Sequence, residues 1–140
     1  MKDLPSQGQA TETGAWLAAS SAPPGARTLA AIPVRDSSGD VESWFVPVAI
    51  GESLVGYVRV SQDGSSYSAL GQGQPLAAWT DPAQVRQVAE RAGFRVGGIP
   101  FLGYDGVPAR LAWVVPLSGG GVAYVTGDAV WPSRPRERTT

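Results

Sequence analysis

The sequence contains no cysteine, no histidine and no asparagine. Without cysteine the chain forms no disulfide and offers no thiolate for redox chemistry or nucleophilic attack. Without histidine it lacks both the most common metal ligand and the side chain that titrates near neutral pH. Since asparagine is absent, there is no acceptor for N-glycosylation. These absences exclude thiol enzymes, disulfide-stabilised folds and the usual zinc and copper sites.

Charge is also scarce. Charged residues make up 16% of the chain, and the net charge is −1, so nucleic acid is not expected as a partner. The basic residues near the C-terminus, Arg134, Arg136 and Arg138, are predicted to be solvated. No apolar run reaches the roughly 20 residues that span a bilayer, so membrane insertion is not expected. Arginine outnumbers lysine ten to one, which is typical of a GC-rich bacterial source.

The remaining residues do not form a catalytic or metal-binding pattern. A serine nucleophile needs a nearby base, and the only lysine is Lys2. The aspartates most typical of turns are Asp36, Asp40, Asp63, Asp105 and Asp128. Asp36, Asp40 and Glu42 have a spacing that could suit calcium, but they lack the alternating ligands of a calcium loop. The sequence therefore predicts no catalytic residues, no metal site, no cofactor and no enzyme activity.

The composition favours a turn-rich β protein. Hydrophobic residues make up 43% of the chain, and there are 18 glycines and 12 prolines. Apolar and alternating stretches predict strands over 28–34, 42–50, 54–61, around Tyr67, and over 94–104, 109–117, 122–126 and 129–131. A linker is predicted over 71–75. The predicted fold class is α+β, with a curved antiparallel sheet or sheets and one or two helices packed on one face.

Two helices are predicted. The stronger one follows Asp81, a good N-cap, and has Pro82 at its first position. Its apolar stripe consists of Val85, Val88, Ala89 and Ala92. Gly93 is placed to end this helix in a left-handed conformation. A weaker helix is predicted over 12–22 and ends at Pro23.

The two halves of the chain look alike. Trp44, Val46 and Pro47 match Trp113, Val115 and Pro116, and Tyr57 and Val58 match Tyr124 and Val125. This predicts an internal duplication of a unit made of one helix and three or four strands. The expected boundaries are a flexible tail over 1–11, a first repeat over 12–75, a second over 76–132, and a flexible basic tail over 133–140. The two repeats are expected to form one compact domain.

The second half, over 80–131, combines a helix with an apolar stripe, a strand with tryptophan and a final strand with tyrosine. The residues concerned are Val85, Val88, Ala89, Trp113, Val115, Tyr124, Val125, Gly127 and Asp128. In these residues the second half resembles the PepSY domain. The first half departs from the pattern, because its helix is short and interrupted by Gly14. The resemblance implies a module like protease propeptides and inhibitory domains, acting outside the cytoplasm, with no catalytic residues to carry over.

Aromatic residues supply the candidate contacts. Trp79, in the segment before the stronger helix, is expected at the surface, and Trp131 is the next candidate. With Tyr104 they are the predicted binding residues, because exposed aromatic side chains on a weakly charged surface favour protein contacts. Trp16 is expected either in the core or at a contact.

The leading interpretation is a non-catalytic protein-binding or inhibitory module. Its partner would be another protein, such as a protease, recognised through a sheet edge or exposed aromatic side chains. One alternative is a structural subunit of a homo-oligomeric assembly, in which the partner is a second copy. Another is a carrier of a small apolar ligand in the concave face of the sheet. A secreted, extracytoplasmic protein whose signal peptide has been removed is expected, with a cytoplasmic location as the alternative.

Overall fold

Each half of the chain begins with helix and continues with several strands of the same sheet. The computed structural model describes residues 4–36, 38–104, 111–127 and 129–132. Within them the first half contains α1 (Gln7–Ser21), β1 (Arg27–Thr28), β2 (Ile32–Arg35), β3 (Val41–Ile50), β4 (Ser53–Ser61) and β5 (Gly64–Pro75). The second half contains α2 (Ala77–Thr80), α3 (Pro82–Arg91), β6 (Phe101–Tyr104), β7 (Leu111–Pro116), β8 (Val122–Thr126) and β9 (Ala129–Pro132). The turns predicted at Asp105 and Asp128 and the tail over 133–140 lie outside the described residues.

The strands form one strongly curved sheet. Its order is β5-β4-β3-β2-β6-β7-β8-β9, and the short β1 pairs with β3 beside β2. Among these strands only β2 and β6 run parallel, where Val34 lies beside Leu102. Apart from β1, each half is therefore a run of four antiparallel strands, and the two runs meet where β2 lies beside β6.

This architecture confirms the predicted fold class, α+β with a curved and mainly antiparallel sheet. Two details differ from the expectation: the sheet contains a parallel pair, and α1 and α3 pack on opposite faces. Side chains alternate along a strand, so Phe45 joins the cluster with α3 while Val46 joins the cluster with α1. Both details follow if the two halves are related by a rotation of about 180° around an axis parallel to the strands. Such a rotation keeps the strand direction, so β2 and β6 run parallel. It also exchanges the two faces of the sheet, so α1 and α3 lie on opposite faces.

A hydrophobic cluster lies on each face of the sheet. On the side of α1, the α1 face, the buried residues are Ala10, Ala18, Ala31, Val46, Val48, Val58 and Val60. On the side of α2 and α3, the α3 face, they are Val34, Phe45, Leu54, Ala78, Trp79, Val85, Ala89, Leu102, Trp113, Val115, Ala123 and Val125. Because the second cluster draws on strands of both halves, it holds them together across the parallel seam.

Helix α1 is longer than predicted. It begins at Gln7, so 7–11 are helical rather than a flexible tail. A capping box explains the early start: Ser6 Oγ accepts from Gln9 N–H at 3.2 Å, and Ser6 N–H donates to Gln9 Oε1 at 2.9 Å. The buried positions Ala10, Gly14 and Ala18 are all small. A Cβ on Gly14 would come within 2.7 Å of a Val46 side-chain carbon, so the helix lies very close to the sheet.

Helix α3 follows the prediction closely. Asp81 Oδ1 accepts from Ala83 N–H at 3.0 Å, and Pro82 occupies the first turn. Val85 and Ala89 are buried against β7 and β8. The helix ends at Arg91, and Gly93 has a φ of 96°, which only glycine adopts readily.

Strand β5 is also longer than predicted. Its regular ladder with β4 runs from Gly64 to Ala69, the register then shifts, and pairing resumes at Gln74 and Pro75. The stretch 71–75, predicted as a linker, therefore belongs to this strand. Leu70, at the irregularity, packs against the core of the α3 face.

Candidate functional site

The α3 face of the first half contains a pocket of about 270 Å³. Its lining residues are Phe45, Leu54, Tyr57, Leu70, Gln74, Trp79 and Leu111. They come from β3, β4, β5, α2 and β7, so the pocket exists only when both halves are folded together. Pockets that bind small molecules are mainly apolar with a few polar groups, and this lining has that character.

Trp79 lies in this pocket and not at the surface. It is 9% exposed, so the expected surface position is wrong. The helical turn α2 brings its ring to Phe45, with centroids 6.3 Å apart, and Phe45 stacks on Tyr57 at 5.0 Å. Its indole N–H donates to Gln74 Oε1 at 2.6 Å, and this bond removes the cost of burying the N–H. A role for Trp79 in binding stays a prediction.

A polar cluster, formed by Glu42, Ser43, Arg59 and Tyr104, borders the pocket on the same face. Arg59 lies directly opposite Phe45 in the β3–β4 ladder, and Tyr104 lies opposite Leu111 in the β6–β7 ladder. Directly opposed residues on neighbouring strands have their Cβ atoms about 5 Å apart. Arg59 and Tyr104 are therefore next to two of the pocket's lining residues.

Arg59 is the centre of the polar cluster. Its Nη2 donates to Ser43 Oγ at 2.6 Å and to Tyr104 Oη at 2.7 Å. The Tyr104 hydroxyl donates to Glu42 Oε2, while Glu42 Oε1 lies 3.9 Å from Arg59 Nη2. The guanidinium carbon also lies 5.7 Å from the centre of the Tyr104 ring, within the range of a cation–π contact. The cluster thus joins β3, β4 and β6 across the seam between the halves.

A β-bulge explains how Glu42 reaches this cluster. Val34 pairs with Ser43 and Arg35 pairs with Val41, so Glu42 is the extra residue in the ladder. Strict alternation would point Glu42 to the α1 face, away from Ser43. A bulge changes the direction of a side chain, and here it lets Glu42 accept from Tyr104.

Within the polar cluster, Tyr104 has a raised pKa. Burial raises the pKa of the Tyr104 hydroxyl above its usual value, and the hydrogen bond to Glu42 raises the pKa further. Arg59 lowers it, but the net direction is upward. At neutral pH the hydroxyl is a hydrogen-bond donor and not a nucleophile, so the cluster can position or bind a group.

The sequence predicted Tyr104 as a binding residue but missed its partners Arg59 and Glu42. The pattern of β4 carries a signal for Arg59. In Val55-Gly56-Tyr57-Val58-Arg59-Val60 the valines Val58 and Val60 mark one buried face, so Arg59 must lie on the other face with Tyr57. A single charge at such a position favours a partner across the sheet. The bulge at Glu42 has no equivalent signal.

The outer edge of β5 is a second candidate site. Among the described strands, β5 pairs only with β4, so one side of the strand is open. The regular stretch Gly64-Ser65-Ser66-Tyr67-Ser68-Ala69 contains no charge and no proline. An open edge exposes backbone N–H and C=O groups that can pair with another chain. The opposite edge, β9, is only four residues long and ends at Pro132.

The other predicted aromatic residues lie elsewhere. Trp131 on β9 packs against Tyr124, with ring centroids 6.3 Å apart, and both lie on the α1 face of the second half. Trp131 is therefore not brought together with Trp79 and Tyr104. Trp16 is 75% exposed on the side of α1 that faces away from the sheet, which removes the core alternative for this residue.

Several acidic residues in the described part of the chain lie in or beside turns. No three of them there come close enough to hold a metal ion. In the turn after β2, Asp36 Oδ1 accepts from Ser38 Oγ at 2.6 Å, from Ser38 N–H at 2.9 Å and from Asp40 N–H at 3.1 Å. These bonds, with the Ser38 hydroxyl first, lower the pKa of Asp36. Among the described helices, none combines the length and apolarity needed to cross a bilayer.

Comparison with known proteins adds no relative. No family model matches the chain, and no curated protein and no solved structure matches it. The resemblance to PepSY domains stays a prediction, and the pocket and the β5 edge are the features of the chain that bear on its function.

Proposed function

We propose that this chain is a non-catalytic protein-binding module, and that an extended segment of its partner pairs with β5 as an additional strand. The observation that supports this is the open, uncharged edge from Gly64 to Ala69. In strand addition the backbone supplies most of the hydrogen bonds and the side chains supply the specificity. Six residues of strand extend for about 20 Å, enough for several backbone hydrogen bonds.

The contrast between the two sheet edges supports the choice of β5. Natural proteins protect edge strands by keeping them short or by adding proline, lysine or bulges. The other edge, β9, is short and ends at Pro132. On β5 the irregularity lies only after Ala69, so Gly64–Ala69 keeps a regular, unprotected edge. An edge left in this state suits a partner strand.

The geometry of the hairpin indicates which backbone groups the partner would meet. The two-residue turn between Ser61 and Gly64 fixes the β4–β5 register. Hydrogen-bonded and non-hydrogen-bonded pairs alternate in an antiparallel ladder. Counting from the turn, we expect Ser65, Tyr67 and Ala69 to direct their N–H and C=O groups outward. The resemblance to PepSY domains favours an inhibitory role, with a protease as one candidate partner.

The test begins with displayed random 12-residue peptides selected for binding, followed by synthesis of the enriched sequences. Amide hydrogen exchange of the full chain is then measured with and without peptide. We expect slower exchange at Ser65, Tyr67 and Ala69, because their N–H groups gain acceptors. Protection confined to other strands would contradict the proposal, as would failure to enrich any peptide.

Two variants at the same edge sharpen this test. Ser65→Pro removes one outward N–H and should weaken peptide binding about fivefold to tenfold, since one hydrogen bond contributes about 1 kcal/mol. The matched variant Ser66→Ala keeps every backbone donor and should bind within about twofold of the parent. Equal loss in both variants would mean that side chains, and not the edge, carry the binding.

A second copy of the chain is the competing occupant of the same edge. Light scattering on a sizing column across a range of concentrations separates the two cases. A monomer is expected if β5 receives a foreign strand. A stable dimer that Ser65→Pro dissociates would replace the proposed function with that of a self-assembling subunit.

A further inference from the structure

The pocket on the α3 face has no role in strand addition, because it lies between the sheet and α2. Its walls are made by Phe45, Tyr57 and Trp79, whose rings stack in succession, and by leucines from β4, β5 and β7. A cavity of 150 Å³ in another protein is large enough for benzene. At about 270 Å³, this pocket has room for a fused two-ring molecule.

Arg59 places a cation at the border of this apolar space. Its Nη2 donates to two neutral oxygens, those of Ser43 and Tyr104. Glu42 makes no direct hydrogen bond to it and lies at 3.9 Å, the outer limit of an ion pair. Among the described residues no group accepts a hydrogen bond from the buried Arg59 Nε. A guanidinium satisfied in this way retains the capacity to pair with a further carboxylate.

The position of Arg59 relative to the rings sets the shape of a ligand. Arg59 lies across from Phe45 and two residues along β4 from Tyr57, all on the same face. A ring seated among the aromatic side chains would therefore carry its anionic group on the side of the polar cluster. Tyr104 remains neutral and keeps its one hydroxyl hydrogen on Glu42, so Arg59 is the group that meets the carboxylate.

We infer that this pocket binds a small aromatic carboxylate, with its fused rings packed against the side chains of Phe45, Tyr57 and Trp79 and its carboxylate at Arg59. The binding site is independent of the β5 edge. No covalent chemistry is involved, and the ligand is held by apolar contact and one charge-assisted interaction.

Indole-2-carboxylate is the first probe, and indole-2-carboxamide is its neutral counterpart of the same shape. Each probe is titrated into the full chain, and binding is measured from the NMR shifts of the leucine methyl groups. Saturable shifts are expected at Leu54, Leu70 and Leu111, with a dissociation constant on the order of 0.1–1 mM for a ligand of this size. The carboxamide should bind about tenfold more weakly.

Two variants locate the ligand. Leu70→Trp fills the pocket from β5 and should remove the shifts caused by both probes. Arg59→Met keeps the apolar stem and should reduce the affinity for the carboxylate about tenfold while leaving the carboxamide within about twofold. Circular dichroism checks that both variants are folded.

The comparison of the two probes on the unmodified chain decides the inference even if a variant fails to fold. Equal affinity for carboxylate and carboxamide would overturn the assignment of Arg59. Absence of saturable shifts at the three leucines up to 10 mM probe, about ten times the weakest expected dissociation constant, would overturn the pocket itself.

Discussion

Helices α1 and α3 each bury one side against the sheet, but the residues that make the two contacts differ in size. In the second half, α3 presents Val85 and Ala89 to the α3 face, and its bulk fills the space above β7 and β8. In the first half, α1 presents Ala10, Gly14 and Ala18, so the valines of the sheet supply the bulk and the helix approaches them closely. Burial is complete in both cases. An apolar stripe in the sequence therefore predicts a buried helix such as α3, which packs with large side chains. It does not predict a helix such as α1, whose buried residues are small.

The largest expected effect tests the bulky contact. Val85 is fully buried, so Val85→Ala should lower the free energy of unfolding by about 2 kcal/mol through lost apolar burial and a residual cavity. Urea denaturation measures the change. The exposed neighbour Gln87→Ala should stay within about 0.5 kcal/mol. Equal effects of the two substitutions would mean that α3 does not pack as described.

The next prediction tests the close contact. Gly14→Ala should destabilise the chain by about 1–2 kcal/mol, because the overlap with Val46 outweighs the gain in helix propensity. In the same helix, a Cβ added at Gly8 would meet no atom within 4 Å. Gly8→Ala should therefore raise the free energy of unfolding by up to about 1 kcal/mol. Urea denaturation of both variants gives the sign of each change. Stabilisation by both would show that α1 lies further from the sheet.

A double-mutant cycle extends this test. Val46→Ala removes the two Cγ carbons that the new Cβ meets and keeps only the Cβ of residue 46, so Gly14→Ala should cost less in that background, with a coupling of about 1 kcal/mol. Additive effects would indicate that Gly14 acts through the unfolded state or through helix propensity alone.

Smaller effects are expected from removal of the N-caps of the two helices, Asp81 for α3 and Ser6 for α1. Asp81→Ala should cost about 1 kcal/mol, because the Ala83 N–H loses its acceptor. Ser6→Ala should cost about 0.5 kcal/mol, because the exposed first turn of α1 can fray locally. Amide exchange should then accelerate in 7–10 only. Acceleration throughout α1 would mean that the cap controls the whole helix.

The smallest effect concerns Tyr104 at the seam between the halves. Its pKa is raised by burial, so the folded chain holds this proton more tightly than the unfolded chain. The stabilisation is fully present below the unfolded tyrosine pKa of about 10 and is lost as pH rises through the folded pKa. Tyr104→Phe should therefore flatten the fall of stability above about pH 10. An unchanged slope would assign the fall to other residues.

Much of the fold was readable from the sequence, and the exceptions have identifiable causes. Helix α3 was predicted because Asp81, Pro82 and its apolar stripe act together. The start of α1 also had a signal in Ser6 and Gln9, the spacing of a capping box, but its small buried residues concealed the rest of the helix. Opposite helix faces were not predicted, because face assignment depends on how the halves pair and not on either half alone.

The candidate site was only partly readable. Tyr104 was predicted as a binding residue, and it lies beside the pocket. Trp79 was expected at the surface because it precedes a helix in a linker-like segment, whereas its hydrogen bond to Gln74 fixes it inside. The position of Glu42 depends on a bulge set by pairing between β2 and β3, which local sequence does not encode.

The parallel seam between β2 and β6 has a consequence for synthesis on the ribosome. The first half emerges before β6 exists, so for a time β2 has no neighbour on that side and Phe45 lacks its cover from Trp79. Both gaps close only when the second half arrives, since α2 and β6 come from it. The nascent first half thus exposes an open strand and an uncovered aromatic ring, two features that favour aggregation of incomplete chains.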